Sequence, residues 1–484
     1  MNLYSQEYSM NKKTLALITL IIVLVAGLTA CNGKTYKAQA IPEGNKYASS
    51  PVENNGGVVV RQGNYIYFIN AYTGVDAENT FGKQDKSCLM RATLDESGNV
   101  IEDSVVEVVK KNIYSTSTKS GIYVKNGWIY YATPNLDKTK QGEVNSTYLD
   151  FYRTSVDATR TELLHTINNR SVDFTVTDNA ILVLDGGTLK KIDLNKKNAA
   201  KISDDKNYVT VRENVSFMQP VKGSGEFAGY TIILTSADTE NSWKKYNTLS
   251  VIDATGEITD LITDGSYNFD ENAASYNTNA TVAVKDYVIE SDGLTLYYTK
   301  TDANGNVTLC AYKFAKDLVF DRTKEVVLME DASGSNASTV KGIDFENGAI
   351  VSVSSAPYLK YVQKDKKPQT IPSDGVELLA RAVTVYAVKD GYIFYADSSS
   401  PAALYRFDMN SDDNPVEEKV ADVSIATAWL SPSVFDGYLY YFDGNKNYLY
   451  RAALQTGEIT LPEEENMVVG KMTEEDYKEV FEKE

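Results

Sequence analysis

Histidine occurs once in these 484 residues, at His165, and cysteine three times, at Cys31, Cys88 and Cys310. One imidazole excludes a histidine-based metal site, and a histidine-centred triad would rest on that single residue. His165 lies in the strand-like run Leu163-Leu-His-Thr-Ile167, which reads as structural. Neither a Gly-x-Ser-x-Gly elbow nor a Walker loop is present. Basic residues are few: 48 Lys and Arg face 66 Asp and Glu, a net charge of −18. A surface of that sign repels nucleic acid and anionic headgroups, so nucleic-acid binding is excluded. No apolar run reaches the roughly 20 residues that a helical membrane span needs. These absences predict a non-enzymatic protein without a resident cofactor.

The apolar run that does exist, Thr14–Gly27, has the length of a cleaved signal's hydrophobic region. Lys12 and Lys13 precede it; Gly27, Thr29 and Ala30 lead into Cys31. Met10 makes a better start than Met1, because the first nine residues include Glu7 and add nothing to a signal. Leu28-Thr-Ala-Cys31 resembles the lipobox of bacterial lipoproteins, which implies that Cys31 becomes the acylated N-terminus. The alternative is an uncleaved N-terminal anchor with Cys31 unmodified. Two or more acyl chains hold a protein stably at a bilayer. The expected location is therefore extracytoplasmic and lipid-anchored, at the cell surface or on the periplasmic side. Loss of two positive charges and one negative with the signal takes the mature chain to −19. The expected organisation is a signal peptide at 1–30, a flexible polar tether at 31–56, a folded body at 57–462 and an acidic tail at 463–484. Thr473-Glu-Glu-Asp476 forms a capping box there, predicting a short C-terminal helix.

The body repeats. A Gly or Asn turn followed by a Tyr-rich strand occurs as Gly63–Phe68, Gly127–Tyr131, Asn179–Leu184, Gly229–Leu234, Gly293–Tyr298, Gly348–Val353, Gly391–Tyr395 and Gly437–Tyr441. A second phrase follows each, from Leu89-Met-Arg91 to Leu404-Tyr-Arg406 and Leu449-Tyr-Arg451. In several copies a turn and a further strand come next, as at Asp253-Ala-Thr-Gly256 before Ile258. Radially repeated units of about four short strands describe an all-β propeller. Runs such as Tyr438-Leu-Tyr-Tyr-Phe442 are apolar on both faces, as strands sandwiched between blades must be. Eight copies predict eight four-stranded blades; irregular units at Asn179 and Gly348 leave seven open. Two stacked sandwiches would not explain the paired phrases.

The pattern resembles uncharacterised bacterial propellers carrying Asp-Gly-aromatic-Ile-Tyr-Tyr and Leu-Tyr-Arg. Asp390–Tyr395 with Leu404–Arg406, and Asp436–Tyr441 with Leu449–Arg451, match best. It is similar in outline to the propellers of low-density-lipoprotein-receptor-related proteins, but lacks their Trp-Thr-Asp. The resemblance spans 58–461; it implies fold and hardly function. Cys88 and Cys310 fall in units 1 and 5, opposite in an eight-blade ring, so two free buried thiols are expected rather than a disulfide.

Two acidic turns are weak calcium candidates: Asp302 with Asn304, and Asp408 with Asn410 and Asp412. The first places Gly305 too early for an EF-hand loop; the second lacks both its Gly and its closing Glu. Long connections at 70–86, 133–147, 236–246 and 262–281 share one face of a propeller. They carry Tyr72, Phe81, Trp243, Tyr246, Tyr267, Phe269 and Tyr276. Aromatics on long loops of a rigid scaffold form the candidate binding face. The expected partners are the membrane, through Cys31, and an unidentified protein or glycan. Competing readings are a glycan-binding or glycan-cleaving propeller and an envelope-assembly factor.

Overall fold

The computed structural model describes residues 50–69, 88–101, 104, 106–109, 111–115, 121–135, 147–236, 245–263, 279–302, 305–333, 339–343, 348–353, 358–370, 373–397, 400–411, 416–422, 432–442 and 449–454. They form a ring of eight antiparallel blades. Strands within a blade are called a to d from the axis outward.

Blade 1 uses Val59–Gln62, Tyr65–Ile69, Leu89–Thr93 and Val106–Val109, with an extra strand, Val52–Glu53, on the axial side of strand a. Blade 2 is Tyr123–Lys125, Trp128–Pro134, Leu149–Ser155 and Thr161–Ile167. Blade 3 is Asp173–Val176, Ala180–Asp185, Thr188–Asp193 and Tyr208–Arg212. Blade 4 is Val215–Pro220, Thr231–Ser236, Lys245–Ile252 and Ile258–Ile262. Blade 5 is Asn279–Glu290, Gly293–Thr301, Val307–Phe314 and Val326–Met329. Blade 6 is Thr339–Gly342, Gly348–Val353, Tyr358–Gln363 and Val376–Leu379. Blade 7 is Val383–Lys389, Tyr392–Asp397, Ser400–Asp408 and Glu417–Ala421. Blade 8 shows three strands among the described residues, Ser433–Phe435, Tyr438–Phe442 and Leu449–Ala453. Blades 4 and 5 are joined by a short parallel pairing of Lys245 with Asn279 and Tyr246 with Ala280. The irregular third and sixth units are complete blades, which excludes the seven-blade alternative.

Local chemistry explains the repeat. The a–b turns at Asn126-Gly127, Asp390-Gly391 and Asp436-Gly437 hold both central residues at positive φ (51° and 76°, 50° and 82°, 55° and 73°). That is the type I′ hairpin, whose twist matches the flanking strands and which selects Asn-Gly or Asp-Gly. Strand b then lies sandwiched between blades: all five residues of Tyr65–Ile69 are buried. The Leu of the second phrase marks a bulge. The c–d register slips directly after Leu89, Leu189, Leu249, Leu309, Leu359 and Leu404, and after Phe151 in blade 2. A bulge there increases local twist, which lets the outer strand splay from the ring. The core accordingly forms as clusters between neighbouring blades. One of them joins blade 8 to blade 1 through Phe435, Tyr440, Phe442 and Leu449, so packing closes the circle.

Many tyrosine hydroxyls find partners, as amphipathic rings in a core should. Tyr395 donates to Glu417 at 2.5 Å, Tyr298 to Glu325 at 2.6 Å, and Tyr131 pairs with Thr154 at 2.9 Å. The Tyr of Leu-Tyr-Arg stacks on the Tyr opposite it in strand b: Tyr395 with Tyr405, and Tyr441 with Tyr450. Cys88 and Cys310 are both buried and unbridged.

One boundary differs from the sequence reading. Residues 50–56, assigned there to the tether, are packed into blade 1. Val52 pairs with Gln62 and Glu53 with Arg61. Buried Asn54 donates its side-chain amide to Val59 O at 2.7 Å. Asn55 both donates to Val124 O and accepts from Val124 N, serving blade 2 as a surrogate strand. Polar composition looked like a linker because these amides replace backbone partners. The C-terminal tail lies outside the described residues.

Candidate functional site

The a strands line the axis, and their ends at the a–b face surround a cavity of about 550 Å³. Blades 4 to 8 and the added strand Val52–Glu53 build its wall. Three lysines reach it from three blades: Lys222 from the a–b loop of blade 4, Lys341 from strand a of blade 6, and Lys389 from the end of strand a of blade 7. Acidic groups on the same wall are Glu53, Asp286 and Asp436.

Lys222 is placed by Tyr287. The Lys222 backbone N–H donates to Tyr287 Oη at 2.8 Å, and that hydroxyl donates to Pro220 O at 3.3 Å. The loop behind Lys222 is anchored by buried Phe227, packed edge-on against Tyr230. Lys222 keeps some contact with the channel, yet the surrounding ring of protein removes most of its hydration. That desolvation brings its ammonium down to about 8, against the opposing pull of Asp173.

The acids are largely spoken for. Asp286 accepts from Tyr287 N and Gly342 N, both at 2.9 Å, and so stitches blade 5 to blade 6. Burial pushes its carboxyl above the usual range, partly offset by Lys341. Asp436 is ion-paired with Arg61 of blade 1. One carboxylate oxygen of Glu53 is buried without a hydrogen-bond partner among the described residues. Lys389 lies 3.2 Å from Asp390 across an exposed turn. Together these groups form a polar chamber lined by three lysines and three acidic residues.

Of the candidate binding face, Tyr72, Phe81, Trp243, Tyr267, Phe269 and Tyr276 lie outside the described residues, as does Cys31. Tyr246 is placed by its backbone in strand c of blade 4, opposite Ala280. The calcium candidates are not brought together. Asp302 is at a b–c turn of blade 5 and Asp408 at a c–d turn of blade 7, on opposite faces. Asp302 caps its own turn, accepting from Asn306 N and Nδ2 at 2.9 and 2.8 Å. Asp408 accepts from Asn410 N at 2.8 Å, and Asn410 donates to Asp390 O. Asn304 and Asp412 lie outside the described residues. Among those described, no group of three His, Cys, Asp or Glu side chains is arranged to hold a metal ion.

His165 is buried in strand d of blade 2, its ring 5.2 Å from that of Tyr208. Burial lowers its pKa against a smaller opposing pull from Asp205. The channel lysines were missed by sequence reasoning because each belongs to a different blade. The recurring place of strand a ends around the axis was the available signal.

No protein-family model matches the chain, and no curated protein matches it. Among solved structures it is similar to a prolyl endopeptidase, at 12% identity and a TM-score of 0.41, covering 84% of this chain and 55% of that one. It is likewise similar to apo AztD from Citrobacter koseri, at 12% identity and a TM-score of 0.35, covering 77% and 92%. A third is dipeptidyl peptidase 4 from Porphyromonas gingivalis, at 10% identity and a TM-score of 0.40, covering 84% and 56%. The chain spans about half the length of the two peptidases. The likeness concerns fold alone.

Proposed function

We propose that this chain is a lipid-anchored extracytoplasmic protein whose propeller serves as a non-catalytic scaffold for a protein partner. The observation that supports this reading is where the chain enters the ring. Ser50 O accepts from Gln62 Nε2 at 3.3 Å, beside the a–b turn of blade 1. Strand a ends there, so the tether joins the propeller on the a–b face. The strand ends that flank the long connections, Ile69 and Leu89, Pro134 and Leu149, Ser236 and Lys245, belong to the opposite face. A chain anchored through Cys31 would therefore turn its a–b face to the membrane and offer the aromatic connections outward.

Crosslinking of the acylated protein in cells, followed by affinity purification, tests the scaffold. The expected result is one reproducible protein partner, lost when Trp243 and Tyr246 are changed to Ala. No partner above a propeller-free control carrying the same lipobox overturns it. Capture of polysaccharide instead would favour the glycan reading.

A further inference from the structure

The channel chamber is independent of the face proposed for a protein partner, and its chemistry points to a different ligand. We infer that the chamber at the a–b mouth binds a sugar-sized organic anion, a phosphate ester or a carboxylate, held by Lys222, Lys341 and Lys389.

Four observations carry this. The volume, about 550 Å³, lies within the range of roughly 300–1,000 Å³ typical of small-molecule sites. Five blades and the added strand contribute to the chamber wall, so a ligand there meets groups held by several sheets. The chain as a whole carries −18, yet lysines from three blades, Lys222, Lys341 and Lys389, line this one space. The acids on the same wall are mostly engaged: Asp286 by two backbone N–H donors and Asp436 by Arg61.

The site is also built rather than incidental. The blade 4 loop lines the chamber through Gly223, whose φ of +141° suits glycine. A Cβ added there would sit 3.0 Å from Ile289 Cδ1, on the chamber wall. Tyr287 then fixes the backbone of Lys222 from blade 5. Such a clasp fixes the backbone from which the Lys222 side chain springs before any ligand arrives, which reduces the ordering cost of binding.

Titration calorimetry at low salt on the full chain tests the inference. The probes are inorganic phosphate, glucose 6-phosphate, gluconate and uncharged glucose. Expected is binding of at least one anionic probe with no binding of glucose. Preference for glucose 6-phosphate over gluconate would assign a phosphate ester, and the reverse a carboxylate. Lys222→Met and Lys341→Met should each weaken binding about tenfold, the scale of one charge-assisted hydrogen bond. Lys206→Met, on an exposed turn of blade 3, should leave it unchanged. If Lys222→Met does not fold, Lys389→Met carries the same expectation at the end of its strand. The inference is overturned if glucose binds as well as the anions. It is equally overturned if no anionic probe binds by about 10 mM, or if the folded lysine variants bind as the parent does.

Discussion

Arg451 of blade 8 reaches into blade 1: its Nη1 donates to Gly98 O at 2.5 Å and its Nη2 to Asn99 Oδ1 at 2.6 Å. The same contact runs forward elsewhere in the ring. Arg91 of blade 1 donates to Val156 O of blade 2 at 2.7 Å, and Arg406 of blade 7 to Leu454 O of blade 8 at 2.8 Å. Each guanidinium also lies against the first aromatic ring of its own strand b: Tyr65, Tyr392 and Tyr438. The Arg of the second repeated phrase is thus a tie to the next blade's c–d turn, and Arg451 closes the circle with it.

Removing these ties should loosen the ring. Arg406→Ala, at a buried site that also pairs with Glu418, should cost about 2–3 kcal/mol, because charged donors and their partners are left unsatisfied. Arg451→Ala should cost about 1 kcal/mol, being more accessible. Arg451→Lys should fail to restore it, since one ammonium cannot span two acceptors as the fork does. Denaturant unfolding followed by tyrosine fluorescence reads both; equal stability of all four proteins would refute the tie.

Two tyrosine-to-phenylalanine changes should behave oppositely. Tyr298→Phe removes the hydroxyl hydrogen bond to Glu325, which also pairs with Lys300, and should cost about 1–2 kcal/mol. Tyr386 has a buried hydroxyl without a hydrogen-bond partner among the described residues. Tyr386→Phe should therefore be neutral or mildly stabilising. Comparison of melting temperatures checks the pair.

His165 makes stability depend on pH in one window. Burial depresses its folded pKa below the ordinary 6.5, so below that value the unfolded chain takes up a proton that the folded chain resists. Stability should fall as pH drops from about 6.5 toward the folded pKa, and be unaffected by this group above it. His165→Leu should flatten that part of the profile; an unchanged slope would show that other groups set it.

Thiol chemistry should be silent in the native state. Cys310 is fully buried, and burial beside Glu325 pushes its thiol up to about 11. Cys88 is buried against Met90. In a Cys31→Ser chain, a thiol reagent at pH 8 should label neither cysteine until denaturant is added, and both thereafter.

The ring was legible because its repeat is written in short-range chemistry. Asp390-Gly391 and Asp436-Gly437 name a turn type, and Leu404 and Leu449 open the same Leu-Tyr-Arg phrase in strand c of each unit. Such signals survive without any tertiary information. The packed segment from Ser50 to Gly57 was not legible, since Asn54 and Asn55 do through side-chain amides what strands do through backbone. The chamber was still less so: Lys222, Lys341 and Lys389 are separated by 119 and 48 positions and become neighbours only when the ring closes. Aromatic residues on long connections were visible in sequence, but most of them lie outside the described residues.

The extra strand Val52–Glu53 also fixes how a mechanical load would enter the molecule. A pull on the N-terminal side of the chain meets a two-residue pairing before it meets any blade. That pairing should yield first, and only loss of the Asn54, Asn55, Gly56 and Gly57 contacts as well would pay out Ser50–Gly57 as roughly 27 Å of slack at about 3.4 Å per residue. Strand a of blade 1, held by neighbours on its outer side and by the blade 8 packing, would be loaded only afterwards. The segment would behave as a sacrificial link: tension on the N-terminal side of the chain is absorbed at the channel mouth, and the circular order of the blades is spared.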